Sequence, residues 1–375
     1  MFNKLTYDIL LNMKLTKLSL LNYRNCENID LKFDSQKVLI IGKNAQGKTN
    51  ILESVYYLSD LKSQRTSTSS DLIKFNKDMF NINAEVIKNN TEIELNASYN
   101  LEKKRELKIN NVNTTSKNFK MVLKTVLFST KDLLLLRGTP QDRRDWLDRA
   151  IVQIYPAYDE RLTKYEKIRI QKNNLLKLDY IDESLLDIYN EQLIITGSNI
   201  IYLRKKFLKE IEKYAQEKHL LISNNEIFTL NYTCPETNIE SISEFLKSEL
   251  NKRKPEEIAR RQACVGPHRD DIEFKINNID AIKFASQGQQ RTLVLSLKLG
   301  ELDIIKTKTG LAPILLLDDV LAELDESRQN YLLKSIETDI QTIITSVDTL
   351  LFEEEFLHDV QIFSIENGNI KPFIQ

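Results

Sequence analysis

Gly42-Lys43-Asn44-Ala45-Gln46-Gly47-Lys48-Thr49 follows a short apolar run, Val38 to Ile41, and has the spacing of a phosphate-binding loop. Its glycines let backbone N–H groups turn toward phosphate oxygens, and the helix expected over Thr49 to Leu58 offers its positive end to the same anion. Lys48 is then placed to reach the β and γ phosphates of a nucleotide, and Thr49 to put its hydroxyl on Mg²⁺. The alternative is an ordinary glycine turn before a helix. With nine glycines in 375 residues, two at this spacing followed by Lys and Thr favour the phosphate loop.

Such a loop needs an acid beside it. Ile314-Leu315-Leu316-Leu317-Asp318-Asp319 reads as a buried strand ending in paired carboxylates. There Asp318 can hold Mg²⁺ directly or through water, and Asp319 can orient or deprotonate the attacking water. Asp318 follows Lys48 by 270 positions, more than a single phosphate-loop domain uses. The chain is therefore expected to leave the ATPase fold and return to it.

Ser286-Gln287-Gly288-Gln289-Gln290-Arg291 begins 32 positions before Asp318. It stands between an expected strand, Asp280 to Phe284, and a helix carrying Leu293, Leu295, Leu297 and Leu299. A Ser and a Gly at a helix start can present a hydroxyl and backbone N–H groups to phosphate, or can simply cap the helix. The order of the three motifs is that of ATP-binding-cassette ATPases, where this loop contacts the γ-phosphate held by the other protomer. On that likeness Ser286, Gln287, Gly288, Gln289 and Gln290 form a signature loop acting in trans.

At 41% hydrophobic and 29% charged residues, the chain can bury a large core in two domains or in one with an insertion. No apolar run approaches the ~18 residues of a bilayer span, and the first residues lack a secretory signal. A cytoplasmic protein with no membrane partner is expected. Cys26, Cys234 and Cys264 lie far apart without CxxC pairing, which argues against disulfides or zinc. A net charge of −1 leaves DNA binding to local patches: Lys103, Lys104, Arg105 and Lys108; Arg204, Lys205, Lys206 and Lys209; or Lys252, Arg253 and Lys254. Acidic neighbours such as Glu102, Glu106 and Glu210 are interleaved with them, and each patch is equally well read as a solvated face.

Met13 to Asn22 alternates like a strand, Leu31 to Phe33 is extended, and Asn81 to Ile109 reads as an antiparallel sheet broken at Asn89-Asn90. From Gln141 to Lys218 the apolar period becomes helical, predicting two or three long helices. Ile222 to Tyr232 reads as a strand, and Ser241 to Arg261 as a helix interrupted near Pro255. The fold class is α/β, an ABC-type phosphate-loop ATPase head assembled from N- and C-terminal segments, with an inserted, mainly helical lobe. The expected divisions are 1–12, a possible N-terminal extension; 13–135, the head with the phosphate loop; 136–262, the lobe; and 263–375, the head with the signature loop and acidic strand.

Tyr23-Arg24-Asn25, the phosphate loop, Phe128-Ser129-Thr130-Lys131-Asp132-Leu133 and the run from Gly138 to Asp148 (GTPQDRRDWLD) together resemble bacterial RecF proteins. So do Gly266-Pro267-His268-Arg269-Asp270-Asp271, the signature loop and Leu317 to Asp325 (LDDVLAELD). The resemblance runs from about Met13 to the C-terminus. It implies a recombinational repair ATPase with an SMC-like head that binds DNA, single- or double-stranded and at gaps or junctions, in an ATP-dependent way. It also implies an ATP-dependent homodimer, and work with RecR and RecO to help load RecA, in the setting of DNA replication and the SOS response. By matching positions, Gly42 to Asn50 bind ATP, Lys48 and Asp319 are catalytic, Thr49 and Asp318 hold Mg²⁺, and Arg24 is a cation on the nucleotide side. Because the resemblance begins at about Met13, translation from Met13 stands as an alternative to translation from Met1.

Two departures bear on mechanism. ABC enzymes usually carry Glu where this chain has Asp319, and the shorter side chain predicts slow hydrolysis. They usually have a His after the next strand; here only Thr345, Ser346 and Asp348 are available, and Ser346 is the candidate γ-phosphate sensor. His268 is either a second functional residue or a hydrogen-bonded structural one. Two other readings share the ATP motifs: an ABC transporter ATPase subunit, which would usually have a shorter insert and a membrane partner, and an ATP-gated DNA clamp without useful turnover.

Overall fold

The structure is a computed structural model that describes residues 13–223, 225–336 and 339–371. The expected extension, residues 1–12, lies outside the described residues. The chain divides into two compact units: Met1–Asp132 with Glu301–Gln375, and Leu133–Gly300.

The first unit opens with β1 (Met13–Tyr23), β2 (Cys26–Lys32) and β3 (Lys37–Ile41), then α1 (Lys48–Asp60). Next come β4 (Met79–Lys88), β5 (Thr91–Asn100), β6 (Lys104–Ile109), β7 (Val112–Asn113), the short α2 (Ser116–Lys120) and β8 (Thr125–Ser129). In β1 the buried positions change from odd (Met13, Leu15) to even (Leu18, Leu20). The pairing with β4 shifts between Leu15 and Lys17, and one extra residue is what moves a strand's apolar set to the other face. The antiparallel sheet expected over 81–109 is present, in the order β2-β1-β4-β5-β6-β7.

The second unit contains α3 (Pro140–Ile154), α4 (Ala157–Leu176), α5 (Glu183–Ile222), β9 (Phe228–Tyr232), α6 (Ile239–Arg260), β10 (Ile272–Ile276), β11 (Ile279–Asp280) and α7 (Ala281–Phe284). α8 (Gln287–Thr309) begins in it. The predicted long helices number three. α3 starts on a capping box, Thr139 with Asp142, with Pro140 in its first turn. At β9 the backbone N–H groups of Phe228 and Leu230 donate to the Gln216 and Glu212 side chains of α5. Side chains of α5 thereby satisfy two strand-backbone donors.

Four details differ from the sequence reading. The strand expected over Ile222 to Tyr232 begins only at Phe228, because α5 continues to Ile222. α6 runs through Pro255 without a break; a proline removes one helical hydrogen bond, and apolar packing at Ile242, Leu246 and Leu250 holds the remainder. The segment 280–284 is not a strand beyond Asp280, because the Asp280 carboxylate accepts from the N–H groups of Ile282 and Lys283 and starts a helical turn. Residues 263–300 group with the second unit, which moves the expected return to the head from 263 to 301. β10 pairs with β9 across that expected boundary, so backbone hydrogen bonds bind the stretch to the lobe.

The chain re-enters the first unit through α8 and adds β12 (Ile314–Asp318), α9 (Glu326–Ser335), β13 (Thr342–Ser346), the short α10 (Glu354–Leu357), β14 (Val360–Glu366) and β15 (Asn369–Lys371). The second sheet has the order β15-β14-β3-β13-β12-β8, parallel except for β15. Its central strands β3, β13 and β12 are buried along almost all of their length, as strands covered on both faces must be.

Candidate functional site

The phosphate loop lies between β3 and α1, at the C-terminal edge of the parallel strands, where helix and strand ends converge in such sheets. Gly47 is the N-cap of α1 at φ 117°, a conformation that favours glycine. A Cβ there would also stand 2.9 Å from Asn25 Oδ1. Lys48 is buried, and its ammonium donates to Gly42 O at 2.7 Å and Lys43 O at 3.4 Å, with Asp319 Oδ2 at 3.8 Å.

The two distant halves meet at Thr49. Its hydroxyl donates to Asp318 Oδ1 at 2.9 Å. The parallel register sets Asp318 beside Thr345, whose Oγ1 donates to the same carboxylate oxygen at 3.0 Å and accepts from the Asp319 N–H at 2.9 Å. Burial holds the Asp318 carboxyl above the usual carboxylate range, with the neighbouring Asp319 adding to the rise, against the hydrogen bonds from Thr49 and Thr345. A cation at this corner would favour the ionised form. Asp319 sits at φ 50° with its side chain partly open to solvent.

Two cavities flank these residues. One, of about 360 Å³, is lined by Asn25, the stretch Asn44 to Asn50, Arg65 and Asp319. The other, of about 260 Å³, is lined by Thr49, Leu52, Glu53, Tyr56, Gln64, Arg65, Leu127, Ser129, Thr130, Lys131, Asp318 and Asp319. Thr49 and Asp319 border both. A hydroxyl and a single carboxylate oxygen in contact, beside a loop of backbone donors, suit Mg²⁺, which takes few protein oxygens and completes its shell with water and phosphate. No group of three or more His, Cys, Asp or Glu side chains able to hold a metal occurs among the described residues.

Several contacts of the site could not be read from the sequence. Arg65 lines both cavities and donates to Asn50 Oδ1 at 2.6 Å, with Glu53 Oε2 at 3.7 Å. Asn25 takes Asn50 Nδ2 on its Oδ1 at 2.7 Å and donates to Gln46 O at 3.2 Å. The β14–β15 turn closes on the same residue: Gly368 N donates to Gln46 O at 2.9 Å and Asn367 N to Gln46 Oε1 at 2.5 Å. Asn367-Gly368, with both φ positive, is a hairpin pair visible in the sequence. Its docking on the phosphate loop is not.

Arg24 is placed differently from a nucleotide cation. Its Nε and Nη2 grip both oxygens of buried Glu53 at 2.9 and 2.8 Å, and Nη1 donates to Asp71 O at 3.0 Å. It lines neither cavity. Ser346 is buried, and its carbonyl accepts from Gly42 N at 3.3 Å. Because strand side chains alternate, it is Thr345 whose hydroxyl reaches the acidic pair.

In the second unit, the runs 138–148 and 266–271 hold each other. Arg143 grips Asp271 with two bonds of 2.8 Å, and Arg144 Nη1 donates to Asp270 O at 2.5 Å. Arg204 is buried rather than part of a surface patch: it is bidentate to Asp148 at 2.8 Å and donates to Tyr232 Oη and Pro267 O. Its position on the inner face of α5 removes it from the candidate DNA contacts. His268 shares a 2.7 Å hydrogen bond with Tyr165, and burial pushes its pKa down to about 3. The geometry is that of a structural histidine. The signature loop, Ser286 to Gln290, opens α8 in this unit, with Ser286 and Gln287 exposed.

The RecF/RecN/SMC N terminal domain family matches residues 14–371. The DNA replication and repair protein RecF of Natranaerobius thermophilus is 40% identical over 380 residues, covering 95% of this chain and 97% of that protein. That of Streptococcus gordonii is 41% identical over 367 residues, covering 96% and 100%. A structure of the recombination mediator protein RecF-ATP in the RecFOR pathway superposes with a TM-score of 0.88 at 32% identity, covering 100% of both chains. The Smc head domain of Pyrococcus furiosus, bound to the C-terminal domain of ScpA, superposes at 0.53 with 14% identity over 96% of this chain. That second likeness is one of fold alone.

Proposed function

The chain belongs to the RecF family of DNA replication and repair proteins, and from that premise we propose that it is an ATP-dependent DNA-binding protein of recombinational repair. ATP binds along Gly42 to Asn50, with Lys48 on its phosphates and Thr49 and Asp318 on Mg²⁺. The ion, when bound, offsets phosphate charge. Asp319 holds the attacking water, and hydrolysis is slow. The signature loop from Ser286 to Gln290 completes the site of a second copy, so ATP favours a homodimer that binds DNA at gaps, and with RecR and RecO the protein helps load RecA. A ligand favours the state it binds better, which makes ATP the switch and hydrolysis the release.

The main support is the 2.9 Å contact of Thr49 with Asp318, which joins residues 269 positions apart on the wall of one cavity of about 260 Å³. Removing the water-holding carboxylate should trap the paired state. Asp319→Asn is expected to raise the ATP- and Mg²⁺-dependent dimer fraction above wild type in size-exclusion chromatography. No gain would remove Asp319 from that role.

A second reading, an ATP-gated clamp without useful turnover, is favoured by the short Asp319 side chain and its 3.8 Å pairing with Lys48. Single-turnover hydrolysis with and without DNA separates the two.

A further inference from the structure

Two of the signature loop's three glutamines, Gln289 and Gln290, are each bonded to a charged side chain that belongs to none of the ATP motifs. Gln289 accepts the Ser286 N–H on Oε1 at 2.8 Å and donates from Nε2 to Glu226 Oε1 at 2.6 Å. Gln290 is 6% exposed. It accepts Arg137 Nε on its Oε1 at 2.9 Å and donates to Ala285 O at 3.2 Å. An amide side chain offers one carbonyl and one NH₂, so in both glutamines each end is engaged inside the lobe.

Ser286 is left differently. Its Oγ accepts from Gln289 N at 3.2 Å, which closes a capping box at the start of α8. That bond uses an acceptor lone pair, so the hydroxyl can still donate its proton to an anion.

The two holders come from separate parts of the second unit. Arg137 precedes α3, and Glu226 lies in the turn between α5 and β9. Glu226 Oε2 is also 3.7 Å from Nε2 of His219, a fully buried side chain in the last turn of α5. The other ring nitrogen of His219 is 3.3 Å from Ser296 Oγ on α8. The segment after α5 thus meets α8 through Glu226 at its first turn, and the end of α5 meets it through His219 further along.

We propose that Glu226 and Arg137 are positioning residues of the signature loop: they hold its first turn in the shape that offers Ser286 to the nucleotide of a second copy. Through Glu226, the segment after α5 acts on pairing without touching ATP. This rests on the reading of the loop as trans-acting.

The test uses the full chain and four variants, Glu226→Ala, Glu226→Gln, Arg137→Ala and Ser286→Arg. Three quantities are read: the urea midpoint, the affinity for a fluorescent ATP analogue under conditions that keep the chain monomeric, and ATP-dependent dimerisation by sedimentation. Glu226→Ala and Arg137→Ala should keep the midpoint and bind the analogue within about twofold of wild type, yet dimerise about tenfold more weakly, the scale of one charge-assisted hydrogen bond. Glu226→Gln retains an acceptor for Gln289 and should recover most of the loss, which a general structural defect would not do. If Ser286→Arg fails to pair while Glu226→Ala and Arg137→Ala pair like wild type, the positioning role is overturned. If Ser286→Arg pairs normally, or wild type does not pair with ATP, the trans-acting reading itself falls.

Discussion

Replacing Thr345 by Val exchanges a hydroxyl for a methyl of similar size at a fully buried position and removes two bonds at once. The Asp319 N–H loses its 2.9 Å acceptor and Asp318 loses a 3.0 Å donor. A buried donor left without a partner costs about 1–3 kcal/mol, and loss of a group that orients a metal ligand typically lowers metal affinity by about 10–100-fold. Titration of a fluorescent ATP analogue should therefore show binding in EDTA within about threefold of wild type, but Mg²⁺-dependent enhancement reduced by about 10–100-fold. Urea unfolding should register a loss of about 1–3 kcal/mol. Thr345→Ser keeps the hydroxyl and should retain most of the Mg²⁺ effect, and Ser346→Ala should leave it unchanged. If Ser346→Ala abolished the Mg²⁺ effect while Thr345→Val preserved it, the assignment of the second-strand hydroxyl to Thr345 would be refuted.

Lys172 and Glu257 form a fully buried pair at 2.6 Å, so Lys172→Met should lower unfolding free energy by about 3–5 kcal/mol, and adding Glu257→Gln should restore much of it. The second change keeps an acceptor for the Cys264 N–H. His268, with its pKa down to about 3 by burial, is neutral when folded but takes a proton below about pH 6.5 when unfolded. Its share of stability is complete above that pH and shrinks as pH falls, by about 2 kcal/mol at pH 5; His268→Gln should flatten that slope in paired urea titrations. Gly47→Ala, strained at φ 117° and crowding Asn25, should weaken ATP-analogue binding by more than about tenfold. Gly368→Ala, whose Cβ would come 2.6 Å from Asn25 O, should show a smaller loss in the same titration by loosening the hold on Gln46.

The sequence carried the parts of this protein that depend on local rules. Phosphate-loop spacing, the apolar strand ending in Asp318 and Asp319, the period-2 pattern from 81 to 109 and the helical period from 141 to 218 each report the backbone they form. So did the return of the chain to its ATPase head, since two halves of one site 269 positions apart demand it. Residue-level placement was less legible. Arg204 stands in a basic run yet is buried on Asp148, and Arg24 stands in a family-marking triplet yet grips Glu53. A charged letter does not say which face of a helix or turn it occupies.

Tertiary structure alone decided which hydroxyl meets the acids, because strand register sets Thr345 opposite Asp318 and alternation turns Ser346 the other way. It also decided where the lobe ends: β10 pairs with β9 from 40 positions earlier, and no local pattern names a strand's partner. Arg65, Asn25 and the Asn367-Gly368 turn reach the phosphate loop from three separate stretches of chain. Local sequence fixes the elements because backbone sterics and side-chain period act within a few residues. The contacts between elements depend on packing across the whole fold, and there the chain had to be seen folded.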